Sequence, residues 1–241
     1  MNNLTSHPIR HTSGSETEWH QHDTAQMYWI NQGTATIETL DHQWTMTPAS
    51  IGWIPACLEH KSSVVSDMEA FIIYLPVNDV YSPTSQAKVI ASNALIAALI
   101  ERIKGFDFTH LTLSQQRLID VLIDEVNAAK PCNLYLPLPN KNNIRRLTYW
   151  LMSHPDDPRS QSQLAADFAT SSRTLSRVFK SETGINFGFW RQQARLISSL
   201  TMLSQGMSVT STALSCGYSN TSSYITAFKA RFGITPSQYF N

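Results

Sequence analysis

Over the first 80 residues, short apolar stretches alternate with turn-forming residues. Gln26–Ile30, Thr34–Leu40, Ser50–Ile54 and Ala70–Leu75 are rich in Ile, Val, Tyr, Trp and Thr, and Gly, Asn, Asp and Pro punctuate them closely. That spacing predicts a small β-barrel or sandwich. Near residue 85 the period changes. Gln86–Lys104 places Val89, Ile90, Ala94, Leu95, Ala98, Leu99 and Ile103 on a helical stripe, and Gly105 supplies the stop. Thr112 and Gln115 have capping-box spacing, and Leu118, Ile119, Leu122, Ile123 and Val126 follow at a period near 3.6. Stripes this wide predict packing on the barrel, on each other or on a second subunit. Pro131–Asn143 holds three prolines and four asparagines, which suits an extended start and a linker at its end. From Ile144 onward the pattern is helical, with breaks at 154–158, 170–172, 184, 206–208, 217–220 and 233–236.

The helical zone repeats itself. Phe179-Lys180-x-x-x-Gly184-Ile185 recurs 49 residues later as Phe228-Lys229-x-x-x-Gly233-Ile234. The same shift carries Leu175 onto Tyr224 and Trp190 onto Tyr239. Each copy reads as a short helix, a tight turn, a second helix and a glycine stop. In the first copy Ser160-Gln-Ser-Gln163 caps a helix through Phe168, and Arg173–Glu182 follows the turn. In the second, Val209–Cys216 precedes Gly217-Tyr-Ser-Asn220 and the helix Thr221–Phe232. Ala165 and Ala213 are small enough for the paired helices to cross closely, and Gly217 can supply an unusual backbone conformation. This is helix-turn-helix logic, in which the second helix enters the major groove of DNA.

Charge sharpens the division. The 241 residues carry 18 Lys+Arg and 18 Asp+Glu. Residues 1–140 hold 7 basic and 14 acidic side chains, and residues 141–241 hold the other 11 and 4. An acidic first part and a basic second part point to a polyanionic partner for the second. No apolar run reaches the roughly 18 residues that would span a bilayer, and the N-terminus lacks the apolar core of a secretory signal. Three cysteines argue against a disulfide framework and for a reducing cytoplasm.

On the helix after the first turn, Leu175, Val178 and Phe179 mark the buried side, and Arg173, Ser176, Arg177 and Lys180 the other. Arg pairs bidentately with guanine, and Ser bonds several base edges. Lys180 and Lys229, at equivalent repeat positions, suit DNA phosphates, as does Arg231. The second helix of this kind exposes Ser222, Ser223 and Thr226 and has no Arg in its first two turns. It should therefore read sequence weakly and depend on backbone contacts or shape. LAADFATSSRTLSRVFKSETG and CGYSNTSSYITAFKARFGITPSQYF together resemble the DNA-binding domain of the AraC/XylS family of bacterial transcription regulators. The resemblance covers about 100 residues. It implies two helix-turn-helix units joined by a long helix, here Phe187–Gln205, inserted in consecutive major grooves. It places base reading on Arg173, Ser176 and Arg177, then on Ser222, Ser223 and Thr226. Thr226 stands where many members carry Arg, and Ser199 where a small Ala is usual.

The N-terminal part carries a second constellation. Gly14-x5-His20-x-His22-x3-Gln26-x6-Gly33, followed by Pro55-x-Cys57-x2-His60, resembles the two motifs of the cupin barrel. Gln26 replaces the usual Glu, Cys57 a Gly, and Ala49 the first Gly of the second motif. On a strand, His20 and His22 share one face. His60 from a later strand completes a three-imidazole cluster, with Gln26 as an oxygen ligand or hydrogen-bond donor. Neutral imidazoles suit Zn, Ni, Fe or Cu, and three of them leave an open position. A divalent transition metal and a polar ligand pocket without a metal both remain open. Trp19, Trp29, Trp44, Trp53 and Tyr28 read mostly as core, and Cys57 as a small buried residue. Spacing alone does not place His7 and His11.

The expected class is α+β multidomain: a cupin-like β-barrel (jelly roll) with two following helices, then an all-α domain with two helix-turn-helix units. The expected division is a sensor barrel at 1–82, a helical dimerisation and coupling segment at 83–136, a linker at 137–143 and the DNA-binding domain at 144–241. Together these features read as a cytoplasmic, sequence-specific transcription regulator, not an enzyme, whose first domain senses a small molecule or metal. Its partners would be double-stranded promoter DNA, the effector, RNA polymerase and a second copy of the chain, with no membrane. The alternative is a metal-dependent cupin enzyme, of oxygenase or isomerase type, tethered to a DNA-binding domain.

Overall fold

The computed structural model describes residues 4–48, 50–76 and 86–239. Ala49 and the boundary expected at residue 82 lie outside them. The chain forms two compact units, one of residues 1–39 and 44–134, the other of residues 40–43 and 135–241.

The first unit is built on antiparallel strands. These are β1 (Thr5–His11), β2 (Ala25–Glu38), β3 (His42–Met46, which straddles the division), β4 (Ser50–Ile54), β5 (Lys61–Leu75) and β6 (Lys88–Ala91). β5 lies between β1 and β2, and β4 joins β2 to β6. Gln26–Ile30 and Thr34–Leu40, separate in the sequence pattern, fall in one long strand that ends at Glu38. Gly33 does not end it. Its φ is +84°, an added Cβ would lie 2.1 Å from the Asp67 carbonyl oxygen, and the β2–β5 register shifts on either side. It is a bulge residue, and only glycine fits there.

Alternation along β2, β4 and β5 sorts side chains onto two faces. Met27, Trp29, Ile51, Trp53, Phe71 and Ile73 share one face with the helices α1 (Ala94–Ile103) and α2 (Leu113–Ala128) in a single core. Ile96, Leu99, Ile100 and Ile103 of α1 meet Ile119, Leu122, Ile123 and Val126 of α2 there. The register puts Gln26 opposite both Ile54 and Tyr74, and Tyr28 opposite Gly52 and Ile72, so these residues share the other, inner face. The helix expected from Gln86 begins only at Ala94, where Asn93 accepts the Ile96 amide at 2.8 Å. Lys88–Ala91 instead extends along β4. Val89 and Ile90 are apolar enough for either structure, and the free edge of β4 decides. The capping box expected at Thr112 and Gln115 is present.

In the second unit β7 (Tyr135–Pro137) precedes six helices: α3 (Asn142–Ser153), α4 (Gln161–Asp167), α5 (Ser172–Thr183), α6 (Phe187–Ser204), α7 (Val209–Ser215) and α8 (Thr221–Phe232). The expected linker at 137–143 is part of this unit. Leu136 and Leu138 are buried with Ile144, Leu147, Phe179 and Trp190, and Trp190 Nε1 donates to the Pro137 carbonyl at 2.8 Å. An extended segment with alternate leucines needs somewhere to bury them, and the helical core supplies it. No helix among the described residues is long and apolar enough to cross a membrane.

Candidate nucleic-acid interface and imidazole cluster

The two helix-turn-helix units are built alike and differ in one detail. Ser160 caps α4 in a capping box, and Ser208 caps α7. Each short helix closes on an alanine carbonyl: Ala165 accepts the Thr170 amide at 2.9 Å, and Ala213 the Tyr218 amide at 3.0 Å. That offset is 48 residues. The second helices start on Ser171 and Asn220 and stop on left-handed Gly184 and Gly233, an offset of 49. The second turn is therefore one residue longer. Its left-handed position is held by Gly217 at φ +73°, where the first turn uses Ala169 at φ +52°.

Packing leaves one face of each second helix turned outward. Leu175, Val178 and Phe179 of α5 are buried, which leaves Arg173, Ser176, Arg177 and Lys180 exposed. Tyr224 and Phe228 of α8 are buried, which leaves Ser222, Ser223, Thr226 and Lys229 exposed. The Lys180 ammonium donates to the Gly184 carbonyl at 2.9 Å, closing the end of its own helix. Ser199 Oγ, where alanine was expected, accepts from the buried Tyr224 hydroxyl at 3.0 Å and donates to the Leu196 carbonyl at 2.6 Å. The serine thus satisfies a phenol that alanine would leave unpaired.

Arg231 does not sit as expected. It turns inward, donating to Gln193 Oε1 and, at 3.0 Å, to the Tyr135 carbonyl. Burial brings its pKa down to about 10. It is a brace between the two ends of the unit, drawn away from any phosphate. Gln161, which the sequence pattern did not single out, donates through Nε2 to Ser176 Oγ at 2.7 Å and to the Ser172 carbonyl at 3.2 Å.

In the first unit His20, His22 and His60 converge, with one ligand atom from each lying within 4.8 Å of the others. His20 and His60 exchange backbone hydrogen bonds of 2.9 Å across an isolated bridge, and their rings are 4.5 Å apart. His22 is not on a strand as expected. It lies in the loop before β2, where its carbonyl accepts the Cys57 amide at 2.8 Å. Cys57 is exposed rather than buried and has a φ of +60°, which explains a glycine place in the motif. His20 Nδ1 lies 2.7 Å from the Glu18 carbonyl and His60 Nδ1 2.8 Å from the Leu58 carbonyl. A carbonyl only accepts, so both Nδ1 atoms carry a proton, and in the neutral form of each ring the lone pair lies on Nε2. His60 Nε2 is buried with no hydrogen-bond partner. Burial lowers the pKa of both His22 and His60, and neighbouring imidazoles add to this.

Gln26 is 1% exposed. Its Oε1 accepts from the Tyr28 hydroxyl at 2.6 Å, and its Nε2 has no partner. It therefore presents a donor rather than an oxygen ligand. Tyr74, opposite Gln26, approaches His22 at 6.0 Å between ring centroids and His7 at 5.9 Å. His11 lines a separate surface depression of about 220 Å³ with Arg10, Gln32, Asp67 and Glu69. Tyr28 and Tyr74 were legible only as strand residues, because cross-strand register is not written in spacing.

Residues 164–241 match the model of a helix-turn-helix domain. The chain is 32% identical over 223 residues to the HTH-type transcriptional regulator NimR of Escherichia coli K12, covering 91% of this chain and 81% of that protein. It is 34% identical over 103 residues to the HTH-type transcriptional regulator RipA of Corynebacterium glutamicum, covering 43% and 31%. Among solved structures, a cupin-2 domain-containing protein from Shewanella frigidimarina is 27% identical, covering 30% of this chain and 71% of its own, with a TM-score of 0.28. Two helix-turn-helix units, each with its second helix turned outward, and relatives of this kind define a DNA-binding transcription regulator, not an enzyme. The chain belongs to the AraC family of helix-turn-helix regulators.

Base reading by Arg177 predicts that Arg177→Ala weakens specific DNA binding by about 1–3 kcal/mol. Titration against specific and unrelated duplexes at one salt concentration measures it. Equal weakening on both would assign Arg177 to the backbone instead.

Proposed function

We propose that this regulator binds promoter DNA in the cytoplasm through α5 and α8, and that occupancy of a cupin-like sensor site changes its DNA affinity. The observation that carries the second half is His60 Nε2, a buried nitrogen without a partner facing two other imidazoles. An unsatisfied buried polar atom is costly, and a ligand removes that cost. Three imidazoles with two Nδ1 protons held by carbonyls fit a divalent transition metal, bound by His20, His22 and His60. The metal would supply a Lewis-acid centre for an exchangeable ligand. The unpartnered Gln26 Nε2 suits a small molecule carrying an acceptor atom, with or without the metal. Leu113 and Val121, exposed on α2, suit contact with a second copy of the chain, and RNA polymerase is the further partner of a promoter-bound regulator.

Elemental analysis tests this, on protein purified without affinity nickel, beside a His20→Ala/His22→Ala variant checked for folding by thermal unfolding. The expected result is one divalent transition metal per chain, absent from the variant. Chelation should then shift the DNA dissociation constant about tenfold, within the usual range of coupling between sites. Metal-free wild type would leave Gln26 and the imidazoles as a pocket for a polar organic effector. An unchanged DNA affinity in every case would reduce the first unit to a scaffold.

A further inference from the structure

The hydroxyl groups on the two reading helices are committed differently. On α8 the Thr226 hydroxyl donates to the Ser222 carbonyl four residues back at 3.0 Å, and the Ser223 hydroxyl donates to the Asn220 carbonyl at 2.9 Å. Each hydroxyl has one hydrogen, so both present only lone pairs to an approaching base. Such back-bonding is the ordinary fate of Ser and Thr in a helix. Ser176 on α5 escapes it. Gln161 Nε2 donates one hydrogen to Ser176 Oγ and lies 3.2 Å from the Ser172 carbonyl, the very acceptor that back-bonding would use. That carbonyl also takes the Ser176 amide within the helix, so both its lone pairs are engaged. A carbonyl contact requires a donor, so the orientation of the Gln161 amide is determined. The Ser176 hydrogen is left to point outward.

We propose that Gln161 is a positioning residue for DNA specificity: it holds Ser176 as a hydrogen-bond donor, so Ser176 on α5 and the Ser223 and Thr226 hydroxyls on α8 present opposite polarity. Beside the donors Arg173 and Arg177, Ser176 then selects acceptor edges in the major groove, guanine O6 and N7 or thymine O4. Ser223 and Thr226 select edges that carry an amino group, cytosine N4 or adenine N6. The inference rests on the reading that α5 and α8 enter the major groove.

The probe is the tightest duplex that the full-length wild-type chain recovers from a randomised pool. Affinities are measured for every single base-pair change at one salt concentration. Ser176→Ala identifies the base pair that Ser176 reads. There the wild type should favour guanine or thymine over cytosine about tenfold. Gln161→Leu should reduce that ratio to about twofold or reverse it, because Ser176 can then back-bond as Thr226 does. The Gln161→Leu/Ser176→Ala pair should match Ser176→Ala alone. Thr226→Val should remove a preference for adenine or cytosine at a different base pair. Unchanged thermal unfolding midpoints confirm that each variant is folded. A ratio that survives Gln161→Leu while falling in Ser176→Ala would overturn the role of Gln161. No change of base preference in Ser176→Ala would instead overturn base reading by that helix face.

Discussion

Asp157→Ala is expected to destabilise the second unit by about 3 kcal/mol, the scale for removing one partner of a buried charge network. Asp157 is buried in the segment between α3 and α4, with its side chain 5% exposed. Its carboxylate accepts from Trp150 Nε1 at 2.7 Å, from the Arg159 amide at 2.9 Å and from Arg159 Nε at 3.1 Å. Arg159 in turn reaches Asp167 on α4 at 2.7 Å, and its carbonyl accepts from Arg191 on α6 at 2.7 Å. Alanine would leave the Trp150 indole without its acceptor and Arg159 with Asp167 as its one carboxylate partner, and would loosen the seat of the first helix-turn-helix unit. The hydrogen bonds from Arg159 hold the Asp157 carboxyl well below the usual carboxylate range. A lowered folded-state pKa means that the unfolded chain binds more protons as acid is added. The contribution is therefore complete above about pH 4 and is lost progressively below it. Asp157→Asn, which keeps an acceptor but not the charge, should remove that acid-side slope. Thermal unfolding from pH 2.5 to pH 7 on the wild type and both variants measures the two effects. Equal slopes in wild type and Asp157→Asn would place the acid sensitivity elsewhere.

Gly217→Val should cost about 3 kcal/mol and lower the midpoint by about 10–20 °C. Two costs add. A φ of +73° is poorly tolerated by a β-branched residue, and a Cβ would lie 2.9 Å from the Asp156 Cα and 2.8 Å from Arg195 Nη2. A backbone atom cannot swing aside as a side-chain end can. Displacing Arg195 would also break its bonds to the Pro155 carbonyl at 2.8 Å and the Gly217 carbonyl at 3.1 Å. DNA binding should fall with the loss of the second turn, although Gly217 lies before α8 and not on its exposed face. Ala169→Gly at the matching place in the first turn is the control. It exchanges left-handed strain for unfolded-state entropy and should move the midpoint by only a few degrees. A wild-type-like midpoint for Gly217→Val would show that the loop relaxes.

The element boundaries of the second unit were legible to within a residue or so because their signals are local. Ser160 with Gln163 and the glycines at 184 and 233 write caps and stops into three or four neighbouring residues. Recurrence of one motif revealed both helix-turn-helix units. The extra residue in the second turn was not legible from the Phe-Lys-Gly spacing, which lies wholly in the second helices. The strand at Lys88–Ala91 was misread as helix because Val89 and Ile90 satisfy either period. The free edge of β4, which recruits them, is a tertiary fact.

The sequence by itself determined which residue types each half carries: donors and hydroxyls on two helices of repeated design, and three imidazoles at a ligand-like spacing. Tertiary structure alone decided what those groups are able to do. Arg231 and Lys180 both read as phosphate contacts in the sequence, yet one is braced against Gln193 and the other is exposed. Gln26 read equally as an oxygen ligand or a hydrogen-bond donor, and Tyr28, by occupying its oxygen, favours the donor. Ser176 and Thr226 are both exposed hydroxyls on the second helices of their units, yet one takes a hydrogen from Gln161 and the other gives its own to the Ser222 carbonyl. The reason is physical. A side chain's type is set by covalent chemistry, whereas its hydrogen-bonding capacity is set by which partners folding brings within about 3 Å.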